Sequence, residues 1–414
     1  MSIKIAIAKK KLNTPLPIYL SGYAARTDYA KTIHDDLYAN TLFITDETKS
    51  LAIVSCDLLG IYGGYYQPII DDIKKRADIK GLDVVITCVH SHSAPALRDN
   101  KYDQNINKMI EEVKTQITEG IKEARTRAVE TKLGFNERSL LGVGANRRDS
   151  KISVNTVLKI LTFKQESKQG IAVNFNCHPT LMSPANMEVS RDFQGYAMDK
   201  LVSDGFVPMF MQGACGDVST RFTRTEQSFS ECARLGELLA KAAEELTAET
   251  NYETVSTFQY HQHLLTIPRK HYESDEYYQL KIKEYERRLE EKRGKIPASE
   301  LRIFETALQG INVEYQYSKT QDSIVTDVPC GILRLGKAVF IFTPFELFTR
   351  LADRIYANSK AAITYVIGYS FDGQGYMPDK DSFNDGGYEV LSCRYAQGAG
   401  EILADKIVEL INKQ

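Results

Sequence analysis

Apolar positions alternate with polar ones, or gather in short unbroken runs, at Lys4–Ala8, Leu37–Thr45, Leu51–Asp57 and Asp83–Cys88. Period-two patterns and β-branched runs such as DVVITC predict strands, the last of them buried. The period becomes helical at Pro68–Lys80 and Asn105–Arg127. The second half repeats this in kind. Strands are predicted at Val157–Phe163, Ile171–Asn176, Val207–Met211, Val255–Ile267 and Ile363–Gly368, and a hairpin at Gly331–Phe342 around Gly336. Helices are predicted at Gln194–Asp204, Ser228–Thr247 and Leu347–Ala357, with Tyr388–Ile411 mostly helical. Such alternation predicts an α/β protein: largely parallel or mixed sheets flanked by helices, in an α/β/α sandwich-like arrangement. No sequence repeat and no low-complexity linker marks a boundary.

The segment Ser274–Gly294, which contains KIKEYERRLEEKRG, mixes both charge signs and reads as a solvated helix with i,i+4 pairs. The surrounding stretch at about 270–320 is the best place for an insertion or subdomain edge. Over the whole 414 residues, 52 Lys and Arg stand against 54 Asp and Glu, a net charge of −2. That balance excludes a generally basic nucleic-acid binder and an acidic disordered tail. No apolar run approaches the ~18 residues needed to cross a bilayer, so no integral membrane association is expected. The N-terminus MSIKIAIAKKKLN lacks the apolar core of an export signal. The seven cysteines include no CxxC pair, which predicts reduced thiols in a cytoplasmic protein.

Only seven histidines are present, and three directly follow strand patterns. His90 and His92 lie in VHSHSAPA after DVVITC; His178 lies in CHPTL after IAVNFN. Strand exits are where α/β proteins form ligand sites. Residues i and i+2 of an extended segment face the same way, so His90 and His92 can share a pocket. Singly, each reads as a structural histidine. An HxH pair joined by a third His opens a metal reading, because catalytic zinc usually takes three protein ligands plus water. A third exit carries QGACGDVSTR at 212–221, presenting Asp217 and Ser219 on a tight turn, with Cys215 as a packed thiol. Glu346, in TPFELF, interrupts an apolar stretch, where a lone buried carboxylate is costly. A last exit, YSFDGQGYMPD at 369–379, is rich in Gly and aromatics.

In order along the chain, these motifs resemble the catalytic domain of the neutral (alkaline, non-lysosomal) ceramidases, which are zinc-dependent amidases. SGYAA at 21–25 and IHDDLY at 33–38 are similar to the family's opening segment and first long strand; HSHSAP at 90–95 is similar to HTHSGP. ANRRD at 145–149, HPT at 178–180, RDFQGYA at 191–197, GDVS at 216–219 and PFEL at 344–347 continue the match. The resemblance implies zinc held by His90, His178, Glu346 and Tyr376, the last in GQGY. It places Tyr388 of GGYE, twelve residues later, as a second active-site tyrosine followed by Glu389. His92, Arg147 and Ser219 fall on positions lining the scissile amide.

Two departures bear on the substrate rather than on the metal chemistry. The family continues GDVS with Pro-Asn, whereas Thr220–Arg221 follows here, and Arg221 puts a positive charge near the substrate. Secreted members carry a further C-terminal β domain, and this chain ends at Gln414 soon after its last predicted helix, so a single catalytic domain over 1–414 is expected. The resemblance thus implies a Zn2+-dependent hydrolase of an N-acyl amide, with a small-molecule or N-acyl substrate and no nucleic-acid partner. Tyr388, His92 and Arg147 would stabilise the oxyanion, and Ser219 would orient substrate or water. A zinc esterase or other hydrolase of a small polar substrate, or a non-catalytic protein retaining the fold, are the alternatives.

Overall fold

A computed structural model describes residues 3–98 and 105–413. Its core is one arrangement built three times. The first sheet contains β1 (Lys4–Leu12), β2 (Leu37–Thr45), β3 (Ser50–Cys56) and β4 (Leu82–Cys88), in the order β4-β3-β2-β1. The second contains β5 (Leu133–Ser139), β6 (Val157–Gln165), β7 (Lys168–Phe175) and β8 (Phe206–Gln212), in the order β8-β7-β6-β5. The third contains β9 (Phe258–Pro268), β10 (Val325–Leu335), β11 (Ala338–Phe342) and β12 (Ile363–Ile367), in the order β12-β11-β10-β9. In each sheet three antiparallel strands are followed by a helix, and the fourth strand returns parallel to the third. The crossover helices are α1 (Tyr66–Ala77), α3 (Asp192–Ser203) and α7 (Thr349–Asn358). After each fourth strand comes a second helix: α2 (Ile106–Arg127), α4 (Phe229–Ala248) and α8 (Ala399–Lys413). Unlike the uniform sequence, the topology repeats.

The α/β class holds, with mixed sheets, but only one strand pair per sheet is parallel. The cause lies in the turns between the second and third strands. Glu47 (φ 75°), Glu166 (φ 54°) and Gly336 (φ 58°) sit in the left-handed region and close three tight hairpins. Asp46 supports the first of these turns by accepting from the Thr48 and Lys49 amides at 2.9 and 2.8 Å. Parallel pairing needs a long crossover, and only the helix-bearing connections supply one.

Local sequence explains the rest. The β3 run SLAIVSC is buried at every position, as a strand covered on both faces requires. Helix α2 buries Ile106, Met109, Ile110, Val113, Ile117, Ile121 and Ala124, one stripe at i+3 and i+4 spacing. Ser228 caps α4 by accepting from the Glu231 amide at 3.2 Å. Each helix pair packs on its own sheet, and β8 lies across the first sheet. Side chains then tie the sheets together. Thr87 Oγ1 donates to the Gly368 carbonyl at 2.8 Å, Tyr365 to Ile160 at 2.6 Å, and Asn174 Nδ2 to Val366 at 3.3 Å.

Between β9 and β10, which pair directly, the chain runs out into two helices, α5 (Asp275–Lys292) and α6 (Ala298–Thr320). The charged stretch is α5, whose only buried residue is Tyr278. Helix α6 was not distinguished in the sequence, and neither was β5. Gly310, mid-helix in α6, lets its backbone approach the short helix Tyr388–Leu391: a Cβ there would stand 2.7 Å from Leu391 Cβ. Among the described residues no helix is long and apolar enough to cross a membrane.

Candidate metal centre and active site

The site lies where the carboxyl ends of the third and fourth strands of the three sheets meet. His90 and His92 follow β4, His178 follows β7, and the turn Gly213–Ser219 follows β8. Glu346 follows β11, and Tyr369 and Tyr376 follow β12. The short pair Phe345–Leu347 and Gly375–Met377 sets Glu346 beside Tyr376 in register. Gly216 is needed here because an added Cβ would meet the Glu346 carbonyl oxygen at 2.3 Å. His90 (φ 70°) and Tyr369 (φ 54°) hold left-handed backbone conformations, a strain that persists where the surroundings over-determine it.

His90 Nδ1 donates to the Leu59 carbonyl at 2.7 Å, and His178 Nδ1 to the Cys215 carbonyl at 2.6 Å. These contacts fix the tautomers, so both Nε2 atoms carry lone pairs. They face Glu346 Oε2 at 3.5 and 3.0 Å. Burial holds both imidazoles down, His90 to about 4 and His178 to about 3, with Glu346 opposing at His90 and Arg147 adding to the effect at His178. With both Nδ1 protons directed to carbonyls, the two Nε2 lone pairs converge on the Glu346 carboxyl group. That arrangement fits a cation. His90, His92 and His178 together form the group of candidate ligand atoms lying within 4.8 Å of one another.

An imidazole pKa lowered in the folded state contributes stability that is complete above its ordinary value of 6.5 and is lost as pH falls. Here the window runs from 6.5 down through about 4 to about 3. Metal binding needs the same neutral rings. Denaturant titrations of the metal-free protein across this range should therefore show stability falling as pH drops from 6.5 towards about 4; a flat profile would contradict the burial of these rings.

Around this centre the structure gathers the other residues picked out in the sequence. Both ring nitrogens of His92 are buried without a hydrogen-bond partner, and its ring lies 5.0 Å from that of His90 and 5.7 Å from that of His178. Burial and the neighbouring imidazoles hold it well below the usual histidine range. Arg147 Nη1 donates to the Tyr376 hydroxyl at 3.5 Å, and its Nε pairs with Glu389 at 3.1 Å. Burial opposes the Arg147 charge, but Tyr376, Glu389 and Glu346 outweigh it and raise its pKa. Burial, then Glu346, pushes the Tyr376 phenol well up. Tyr388 packs edge-on to Tyr376 at 5.9 Å and is pushed up to about 12 by burial and Glu346.

Ser219 sits against His178 through a backbone bridge. Its Oγ accepts from the Arg221 amide at 3.2 Å. Since neither His92 nitrogen has a partner, His92 does not act on it as the adjacent base a serine nucleophile requires. Asp217 caps α7, accepting from the Thr349 amide at 2.8 Å and hydroxyl at 2.7 Å. Cys215 is buried, bonded to Gln212 and Tyr369, and its thiol is pushed up by burial, so it is a packed thiol.

Several residues at the centre were not singled out from the sequence. The Tyr369 hydroxyl stands 3.4 Å from His178 Nε2, and its ring lies 4.2 Å from that of His90. The loop it opens, YSFDGQGYMPD, is rich in aromatics, which is the signal the sequence carries. Tyr62 lines a small recess with Pro344, Glu346, Tyr369 and Gly375. Three residues from the first connection clamp His92. Tyr23 packs edge-on at 4.9 Å, the Arg26 guanidinium donates to the His92 carbonyl, and Gly22 approaches so closely that a Cβ would lie 2.5 Å from His92 Cα.

The sequence model described as neutral/alkaline non-lysosomal ceramidase, N-terminal, matches residues 14–279. Among solved structures, neutral ceramidase from Pseudomonas aeruginosa shares the fold with a TM-score of 0.73 at 18% identity, over 100% of this chain and 75% of that one. A ceramidase complexed with C2 does so with a TM-score of 0.72 at 17% identity, over 98% and 74%. No curated protein matches by sequence. On the family match, which spans more than half of the sequence, this chain belongs to the neutral/alkaline non-lysosomal ceramidase family.

Proposed function

We propose that the protein is a zinc-dependent hydrolase of a linear N-acyl amide. The observation that carries this is the set of three facing acceptors, His90 Nε2, His178 Nε2 and Glu346 Oε2, beside an unpartnered His92. Two imidazoles and one carboxylate, with Tyr376 as a fourth oxygen donor, suit zinc, which takes nitrogen and oxygen ligands. A bound zinc ion supplies Lewis acidity, polarising the amide carbonyl and lowering the pKa of water towards ~7.

The chain's own groups do the rest. Arg147 and Tyr388 present donors to the developing oxyanion, the interaction that usually contributes most to such a reaction. Arg147 keeps its charge and is oriented by Glu389. His92, neutral and clamped by Gly22, Tyr23 and Arg26, takes the proton of the attacking water and passes it to the leaving nitrogen. The C–N bond breaks, and a carboxylic acid and an amine leave. Ser219, its hydroxyl held by the Arg221 amide, positions substrate or water. We also place the protein in the cytoplasm, because all seven cysteines are free and buried.

The test is hydrolysis of matched N-acyl amides and esters by the protein as purified, after chelation, and after zinc is restored. Amide cleavage lost with the metal and regained with zinc is the expected result. Full amide cleavage by metal-free protein sinks the reading, and cleavage of esters alone assigns the site to an esterase.

A further inference from the structure

The rim of the site is built from arginines that lack acidic partners. Among the described residues, none of Arg26, Arg148, Arg221 and Arg224 has a carboxylate oxygen within 4.0 Å. Only Arg147, of the five around the centre, is paired. Elsewhere on this evenly charged chain, arginines find acids readily, as in Arg354–Asp405, Arg138–Glu249 and Arg191–Asp35.

The unpaired four are held instead by carbonyls. Arg221 is exposed and its Nη1 reaches the Arg147 carbonyl at 3.4 Å. Arg224 Nη1 donates to the Thr180 carbonyl at 3.0 Å, two residues beyond His178. Arg148 Nη2 donates to the carbonyls of Ser382 and Gly386 at 3.2 and 2.6 Å. Arg26 is buried behind His92, and its Nη2 has no partner at all. Carbonyls orient a guanidinium but do not neutralise it, so the mouth keeps a concentrated positive field. Burial lowers the Arg224 pKa, Tyr23 and Asp192 oppose it, and the nearby charge of Arg221 adds to the lowering.

We propose that the substrate carries an anionic group on the amine side of the scissile bond, a carboxylate as in an N-acyl amino acid. This rests on the amide-hydrolase reading above and names the class of amide. The side is set by His92: Arg224 and the Tyr23 hydroxyl both donate to the Thr180 carbonyl beyond His178, at 3.0 and 3.4 Å, the Tyr23 ring packs on that of His92, and Arg221 reaches the carbonyl of Arg147. His92 delivers its proton to the leaving amine, so an anion on that amine lies against Arg221 and Arg224. A guanidinium fork suits a carboxylate better than a neutral hydroxyl.

The experiment compares N-octanoylglycine, N-octanoyltaurine and neutral N-octanoylethanolamine, by calorimetric binding and by turnover, on the zinc-loaded protein. One or two charge-assisted hydrogen bonds predict a preference for the carboxylate on the order of 10–100-fold over the neutral compound. The preference should weaken as salt is raised, while binding of the neutral compound stays flat. In Arg221→Ala, which removes an exposed side chain, the preference should shrink, and in Arg221→Ala/Arg224→Ala it should approach unity. Equal binding of charged and neutral compounds by the wild type overturns the proposal, as does an undiminished preference in the double variant. Stronger selection of the sulfonate than of the carboxylate overturns the carboxylate assignment. Charge-selective binding without hydrolysis of either compound supports the anion site and sinks the hydrolase reading instead.

Discussion

Replacing His178 by alanine is expected to remove the metal while leaving the fold in place. His178 is fully buried, and it supplies one of the acceptors facing Glu346. Loss of a residue that merely orients a ligand costs about 10–100-fold in metal affinity, and loss of the ligand itself costs at least as much. The fold survives because the segment is also pinned by its backbone: the His178 amide donates to the Val218 carbonyl at 3.0 Å, and the His92 amide to Pro179 at 3.1 Å. Alanine removes one of two donors to the buried Cys215 carbonyl, which keeps the Val218 amide at 3.0 Å. His178→Asn, whose amide can serve that carbonyl, controls for this. Both variants should lose stoichiometric zinc and amide turnover. Full zinc by elemental analysis in His178→Ala would show that the ion is held elsewhere.

Tyr388→Phe should separate the chemistry from the metal. The ring packs against Tyr376, and Phe keeps that contact. What it removes is one hydroxyl, held protonated by burial and so a neutral donor. Loss of one oxyanion donor costs about 10²–10³ in turnover, or ~3–4 kcal/mol. Zinc content and thermal stability should stay at wild-type values. If Tyr388 is only a packed aromatic at the start of its short helix, the Phe variant will turn over normally. The two readings therefore differ by orders of magnitude in kcat.

The sequence was legible wherever chemistry and local pattern coincide. Strand exits, the HxH pair and the GDVS turn stood out because strand runs end abruptly in polar or small residues. Sheet direction was not legible, because the backbone of a two-residue turn at Glu166 leaves little trace in composition. Nor was β5 legible: LGFNERS is buried only at its first three positions, like an edge segment rather than a core strand. Helix α6 was hidden by Gly310, which reads as a breaker until Leu391 is seen against it. Tyr369 and Arg26 could not have been found by local pattern, since each acts on a histidine brought to it only by folding.

With three similar units meeting at the site, zinc bound as proposed above would be a cross-link. One third of the chain gives His90, the next gives His178, and the last gives Glu346 and Tyr376. An ion held at all of these points closes two long loops of chain at once, as a pair of reducible bridges would, but reversibly. Its free energy is then shared by the whole chain, and at a thousandfold excess over Kd it is worth about 4 kcal/mol to the folded state. Chelation would thus lower the unfolding temperature of all three units together, and no unit alone would retain the ion.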